Sequence, residues 1–248
     1  MVSPAGFGHD GPLLVLDYPG ERPEARVSEL GLPGPRDLLA VPPPPLPPGR
    51  YLAALSAGRP SGSAGAVLAY CASAPLAAVL AAGAGRGGRA APLVLFDAEP
   101  VTAATVLAAY GATLAQLGVR PEPGEVRHLA AQVPDPGAFL TAARARLSDH
   151  VGAALRADGA ATGEVDDLTS TVTDSALRWL AHLLAAHHAP PPDRTGPTLR
   201  ILSAHTPGDG LRVMCDRTDL LRDPRTAEAV VSFLTAHGAL TGHERAPA

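Results

Sequence analysis

AVLAYCASAPLAAVLAA (66–82) is the stretch on which the fold turns. From Gly65 to Cys71 the chain is apolar or small at every position, with none of the alternation that a strand with one wet face would show. Such a run suits a strand buried on both faces of a parallel sheet. After Cys71 come Ala72, Ser73 and Ala74, all small, and then a segment over 73–82 with helical character. The local order is therefore strand, tight turn, helix.

Working outward, the same grammar repeats. Short apolar runs recur at PLLVLDY (12–18), DLLAV (37–41), PLVLFD (92–97), TLRILSAH (198–205) and LRVMCD (211–216). Segments of helical character lie at 51–57, 73–82, 101–117, 138–157, 173–188 and 224–237. Asp174 and Asp223 suit helix N-caps or first turns, and Pro224 directly after Asp223 suits the first helical position. Strands alternating with helices predict an α/β architecture with a mostly parallel sheet. The tract VPPPPLPPGR (41–50) lacks backbone donors and reads as an extended connector. The block 101–192 holds helices and no convincing strand, so the expected organisation is a core over 1–100, a helical lid over 101–192 and the rest of the core over 193–248. Within the lid, 156–171 offers little apolar surface to offset chain entropy and is expected to be its most mobile part.

Composition removes several classes of function. The 248 residues are 46% hydrophobic, enough for a sizeable core. Net charge is -4, and a surface of that balance offers no general attraction to phosphate backbones or anionic lipid. Neither nucleic acid nor a membrane is expected as a partner. All 20 basic residues are Arg, which excludes a Schiff-base lysine and a P-loop. Two cysteines do not build a disulfide framework, no apolar stretch is long and uninterrupted enough to span a membrane, and the N-terminal run is broken by Asp17 and Pro19, unlike a secretory signal. A reducing cytoplasm is the expected location. No metal site is expected.

The chemistry centres on Cys71. A residue that ends a buried strand and opens a helix through a tight turn is in the position of a nucleophile elbow. Ala69 and Ser73 stand where glycine is usual, small but less tolerant of the turn. A thiol at a helix start is expected to have its pKa lowered by the helix amides. The backbone N–H of Ala72 is the expected oxyanion donor, with a second from the turn after the first strand, around 17–20. Asp97 ends the next apolar run, so a parallel sheet places it at the same carboxyl edge as Cys71, where ligands bind.

At this point the sequence resembles the thioesterases of polyketide and nonribosomal peptide assembly lines, members of the α/β-hydrolase superfamily. The residues carrying the resemblance are AVLAYCASAPLAAVLAA, PLVLFDAEPV and CDRTDLLRDPRTAEAVVSFL, and it extends over most of 12–240. It implies an α/β-hydrolase-like fold, Cys71 in the place of the nucleophile, Asp97 in that of the triad acid, and an acyl thioester substrate borne on the phosphopantetheine of an acyl or peptidyl carrier protein, with no cofactor of the enzyme's own. The family's histidine falls on Arg217, which cannot act as a general base. An arginine there can still stabilise a thiolate, and cysteine, intrinsically nucleophilic, partly compensates for a missing base.

A replacement base is expected in His205, which closes the preceding strand at the same edge. His182, His187 and His188 read as the polar end of a lid helix, Glu99 as a further pocket candidate, and Cys215 as filler at a strand end. The expected function is acyl transfer or hydrolysis through a Cys71 acyl-enzyme. The alternatives are a non-catalytic hydrolase-like scaffold, and a cyclase or lyase that reuses the pocket with Asp97 as base.

Overall fold

The computed structural model describes residues 11–17, 26–39, 44–57, 64–85, 87–159 and 161–240. Six strands form one sheet: β1 Leu13–Leu16, β2 Arg36–Leu38, β3 Ala66–Tyr70, β4 Leu93–Phe96, β5 Thr198–Leu202 and β6 Leu211–Arg212. The α-helices among the described residues are α1 Pro48–Ser56, α2 Ala74–Ala84, α3 Ala103–Gln116, α4 Pro123–Gln132, α5 Pro136–Ala157, α6 Thr162–His187 and α7 Pro224–Ala236. Strand order is β2-β1-β3-β4-β5-β6, and each described pairing is parallel. This is an α/β fold built on one parallel sheet, as the alternation of strands and helices predicts. Strand order reverses between β1 and β3, so the carboxyl end of β3 lies at the topological switch point, where open parallel sheets bind ligands.

The chain divides into two compact units. The sheet unit comprises 1–41, 58–99 and 190–248, and the helical unit comprises 42–57 and 100–189. In the sheet unit the residues of β1, β3 and β4 are all buried, which is why these strands read as unbroken apolar runs. Ala66, Leu68 and Tyr70 from β3 join Val94 and Phe96 from β4 and Val230 and Leu234 from α7 in one core. Each such aliphatic side chain contributes about 1.5–3 kcal/mol by leaving water. Gly65 opens β3 where a Cβ would stand 2.6 Å from the Gly11 carbonyl oxygen, so the close approach to the chain before β1 admits no side chain. The edge strands β2 and β6 are short and largely exposed.

The helical unit has its own core, with Tyr51, Tyr110, Phe139, Leu147, Leu177 and Leu180 fully buried. Three features depart from the sequence reading. Residues 41–43 of the proline tract lie outside the described residues, and the tract then turns helical at Pro48, because a proline at the first position gives up only an N–H that has no helical partner. The span expected to be mobile is mostly helix: α5 continues to Ala157 and α6 starts at Thr162, where buried Val165 anchors its otherwise polar first turns. Helix α4 was not expected, since it buries only Leu129 and has almost no apolar periodicity to read.

Candidate active site

Register places Tyr70 beside Phe96, so the residues that follow them, Cys71 and Asp97, leave neighbouring strands side by side at the carboxyl edge. Both are in the left-handed region, Cys71 at φ 51° and Asp97 at φ 42°. A non-glycine residue held there costs about 1–2 kcal/mol, and the surrounding packing must impose it. At Cys71 that conformation reverses the chain from β3 into a single 3-10 turn, Cys71–Ser73, which feeds α2 with Pro75 in its first turn. Ala69, Ala72 and Ser73 are all buried around this turn, and their small side chains permit it.

The sulfur lies against Arg217. Nη2 of Arg217 donates to Cys71 Sγ at 2.7 Å, Nε donates to the Tyr70 hydroxyl at 3.0 Å, and Nη1 donates to Glu99 Oε1 at 2.6 Å. The guanidinium carbon also stands 5.6 Å from the Tyr70 ring centre, within cation–π range. Each of the three guanidinium nitrogens thus has its own partner.

Burial pushes the Cys71 thiol above its ordinary pKa, against the downward pull of Arg217 and of the Ala72 N–H, with Glu99 adding to the rise. The expectation of a thiol lowered by its helix start is therefore overturned: loss of hydration disfavours the thiolate by more than the nearby donors favour it. Arg217 moves up as well. Although burial opposes its charge, the Cys71 sulfur, the Tyr70 hydroxyl and Glu99 hold its proton more firmly still.

Asp97 is fully buried, and its carboxylate is turned to β5: Oδ1 accepts the Ser203 backbone N–H at 2.7 Å, while the Asp97 N–H donates to the Ile201 carbonyl at 2.9 Å. Its Oδ2 has no hydrogen-bond partner among the described residues. His205 is exposed on the turn after β5, and among the described residues no hydrogen bond or ion pair links it to Cys71 or Asp97. The expected oxyanion turn falls partly outside the described residues, at 18–20. Asp17 itself is buried and its Oδ2 accepts from Ser28, N–H at 3.2 Å and hydroxyl at 3.0 Å.

The remaining histidines of the sequence reading tie the helical unit together. His182 is buried with Nδ1 3.0 Å from the Tyr51 hydroxyl and stacks on Trp179, His187 Nδ1 donates to the Val101 carbonyl at 3.0 Å, and His188 Nε2 donates to the Val133 carbonyl at 2.9 Å. Tyr70 is the site residue that the sequence did not offer; the only hint was a phenol in a buried strand, which needs a polar partner. A cavity of about 310 Å³ lies at the opposite edge of the sheet, lined among others by Gly65, Gly85, Arg89, Pro92 and His237, and touches none of the residues above. Among the described residues no cluster of three or more His, Cys, Asp or Glu is arranged to hold a metal ion, and no helix is long and apolar enough to cross a membrane.

No known protein family and no curated protein matches the sequence. Among solved structures the chain is similar to the Vlm2 thioesterase domain with genetically encoded 2,3-diaminopropionic acid bound with a dodecadepsipeptide, at 17% identity and a TM-score of 0.44, over 92% of this chain and 95% of that one. At that level the likeness assigns no residue a role.

Proposed function

We propose that the protein is a thioesterase-like enzyme that takes an acyl group from a carrier-bound thioester onto Cys71 and then transfers or hydrolyses it. The observation that carries this reading is the cysteine held at φ 51° between β3 and α2, with the Arg217 guanidinium on its sulfur. In the forward step Cys71 Sγ, as thiolate, attacks the thioester carbonyl carbon, the oxyanion forms against the Ala72 N–H, and the bond to the carrier sulfur breaks. The substrate class, a phosphopantetheine-borne acyl group presented by an acyl or peptidyl carrier protein in secondary-metabolite assembly, follows from the sequence resemblance. Incubation with acyl-carrier thioesters followed by intact-protein mass measurement tests it. An adduct of the acyl mass on the wild type and none on Cys71→Ala is expected; an unmodified wild type, or an undiminished adduct in the variant, would end the idea.

One observation favours a second reading, a hydrolase-like scaffold without catalysis: the half-buried thiol has Arg217 as its hydrogen-bond partner, which cannot accept a proton, and burial pushes it up rather than down. On that reading carrier proteins bind without acylating the chain, so the same mass measurement separates the two.

A further inference from the structure

Among the described residues the hydrogen bond to Cys71 Sγ comes from Arg217 Nη2, at 2.7 Å. That partner is a donor, and among the described residues no group that can take a proton is hydrogen-bonded to the sulfur. This arrangement suits one kind of acyl transfer and not another. An incoming water must lose a proton as it attacks, and a positioned general base typically contributes about 10²–10⁴-fold to such a step. An incoming thiolate has none to lose.

We propose that the acceptor of the Cys71-bound acyl group is a second thiol, so that the site exchanges one thioester for another and leaves water aside. The inference rests on the reading of Cys71 as the acyl acceptor. In the first half the Cys71 thiolate forms the S–C bond to the acyl carbon and the donor sulfur departs with the electron pair as a thiolate. In the second half an acceptor thiolate forms its S–C bond to the same carbon and Cys71 Sγ departs as a thiolate beside Arg217. One thioester is broken and one made in each half, with no net proton transfer and no oxidant or reductant. A permanently charged guanidinium serves both halves alike, because it favours the anionic sulfur whenever Cys71 is free. It is held in place to do so, by Tyr70 through Nε and by Glu99 through Nη1.

The test uses the full chain charged with the acyl thioester of N-acetylcysteamine. After removal of excess donor, loss of the acyl mass is followed in buffer alone and in millimolar pantetheine, each compared with the same acyl group on free N-acetylcysteine. We expect discharge to pantetheine to be accelerated over the free thioester by about 100-fold or more and hydrolysis to stay within about 10-fold of it, a gap of the size that an absent base leaves. Arg217→His, which sets an imidazole in that place, is expected to narrow the gap by raising hydrolysis, whereas Arg217→Lys, which keeps the cation, preserves it. Hydrolysis accelerated as much as exchange on wild-type chain overturns the inference while leaving Cys71 acylation intact. A chain that never acquires the acyl mass overturns both.

Discussion

Three charges or dipoles converge on one sulfur, and their signs can be separated by substitution. Burial and Glu99 push the Cys71 thiol up, and Arg217 and the Ala72 N–H pull it down. Alkylation by iodoacetamide, read at Cys71 by peptide mass spectrometry, is therefore expected to rise with pH through the alkaline range with no plateau near neutrality, since only the thiolate reacts. Removing the carboxylate charge in Glu99→Gln should move the midpoint down, and removing the guanidinium charge in Arg217→Gln should move it up. A wild-type midpoint below that of a free thiol, or one unmoved by either substitution, would contradict this account of the site. Cys215, also pushed up by burial, provides an internal reference that neither change should shift. At Asp97 the chemistry is of another kind, because its Oδ1 already closes the junction of β4 and β5 through Ser203.

At the scale of elements, α7 shows how a local signal holds a core element in place. Asp223 caps the helix by accepting the Arg225 backbone N–H at 2.9 Å and also pairs with the Arg225 guanidinium at 2.6 Å, while Val230 and Leu234 enter the sheet core. Asp223→Ala is expected to cost about 1 kcal/mol in urea denaturation and Asp223→Asn, which can still cap, about half of that or less; equal losses would show that the cap is not what Asp223 supplies. The same element was legible in the sequence for the same reason, an Asp-Pro start followed by helical periodicity. So were the strands, because a parallel strand buried on both faces leaves an unbroken apolar run; the runs at 198–205 and 211–216 were read too long, since β5 ends at Leu202 and β6 at Arg212, and the run at 37–41 lies partly outside the described residues. Helix α4 and the first turns of α6 escaped because each buries little more than one side chain, Leu129 and Val165. Cys71 and Asp97 could be read as strand-ending residues. The thiol's raised pKa could not, since depth of burial is a property of the assembled sheet, and neither could Tyr70 as a partner of Arg217, a pairing that forms only when the turn after β6 reaches β3.

Two hydrophobic bodies with different bonding make up the whole molecule, and acid should distinguish them. The sheet unit is centred on strands whose buried side chains are apolar, Leu13, Val15, Leu68, Val94 and Phe96. The helical unit adds to its apolar core a part-buried polar cluster that joins three helices: the Tyr110 hydroxyl from α3 donates to Glu125 Oε1 on α4, and His150 Nε2 from α5 lies 3.0 Å from Glu125 Oε2. Burial alone would raise the Glu125 pKa, but the hydrogen bonds from Tyr110 and His150 and the charges of His150 and Arg146 hold it below the ordinary glutamate value. A carboxyl depressed in the folded state stabilises it at pH values above the unfolded pKa, about 4.3 for glutamate, and loses that contribution as pH falls through the lower folded value. Hydrogen exchange is accordingly expected to show the amides of α4 losing protection below about pH 4, ahead of those in β3 and β4. Glu125→Gln should bring that loss to neutral pH, at a cost of about 1.5–3 kcal/mol for the charge-assisted bonds, and flatten its dependence on acid. Retained protection of α4 in the variant, or simultaneous loss across both units, would mean that the cluster does not secure this helix.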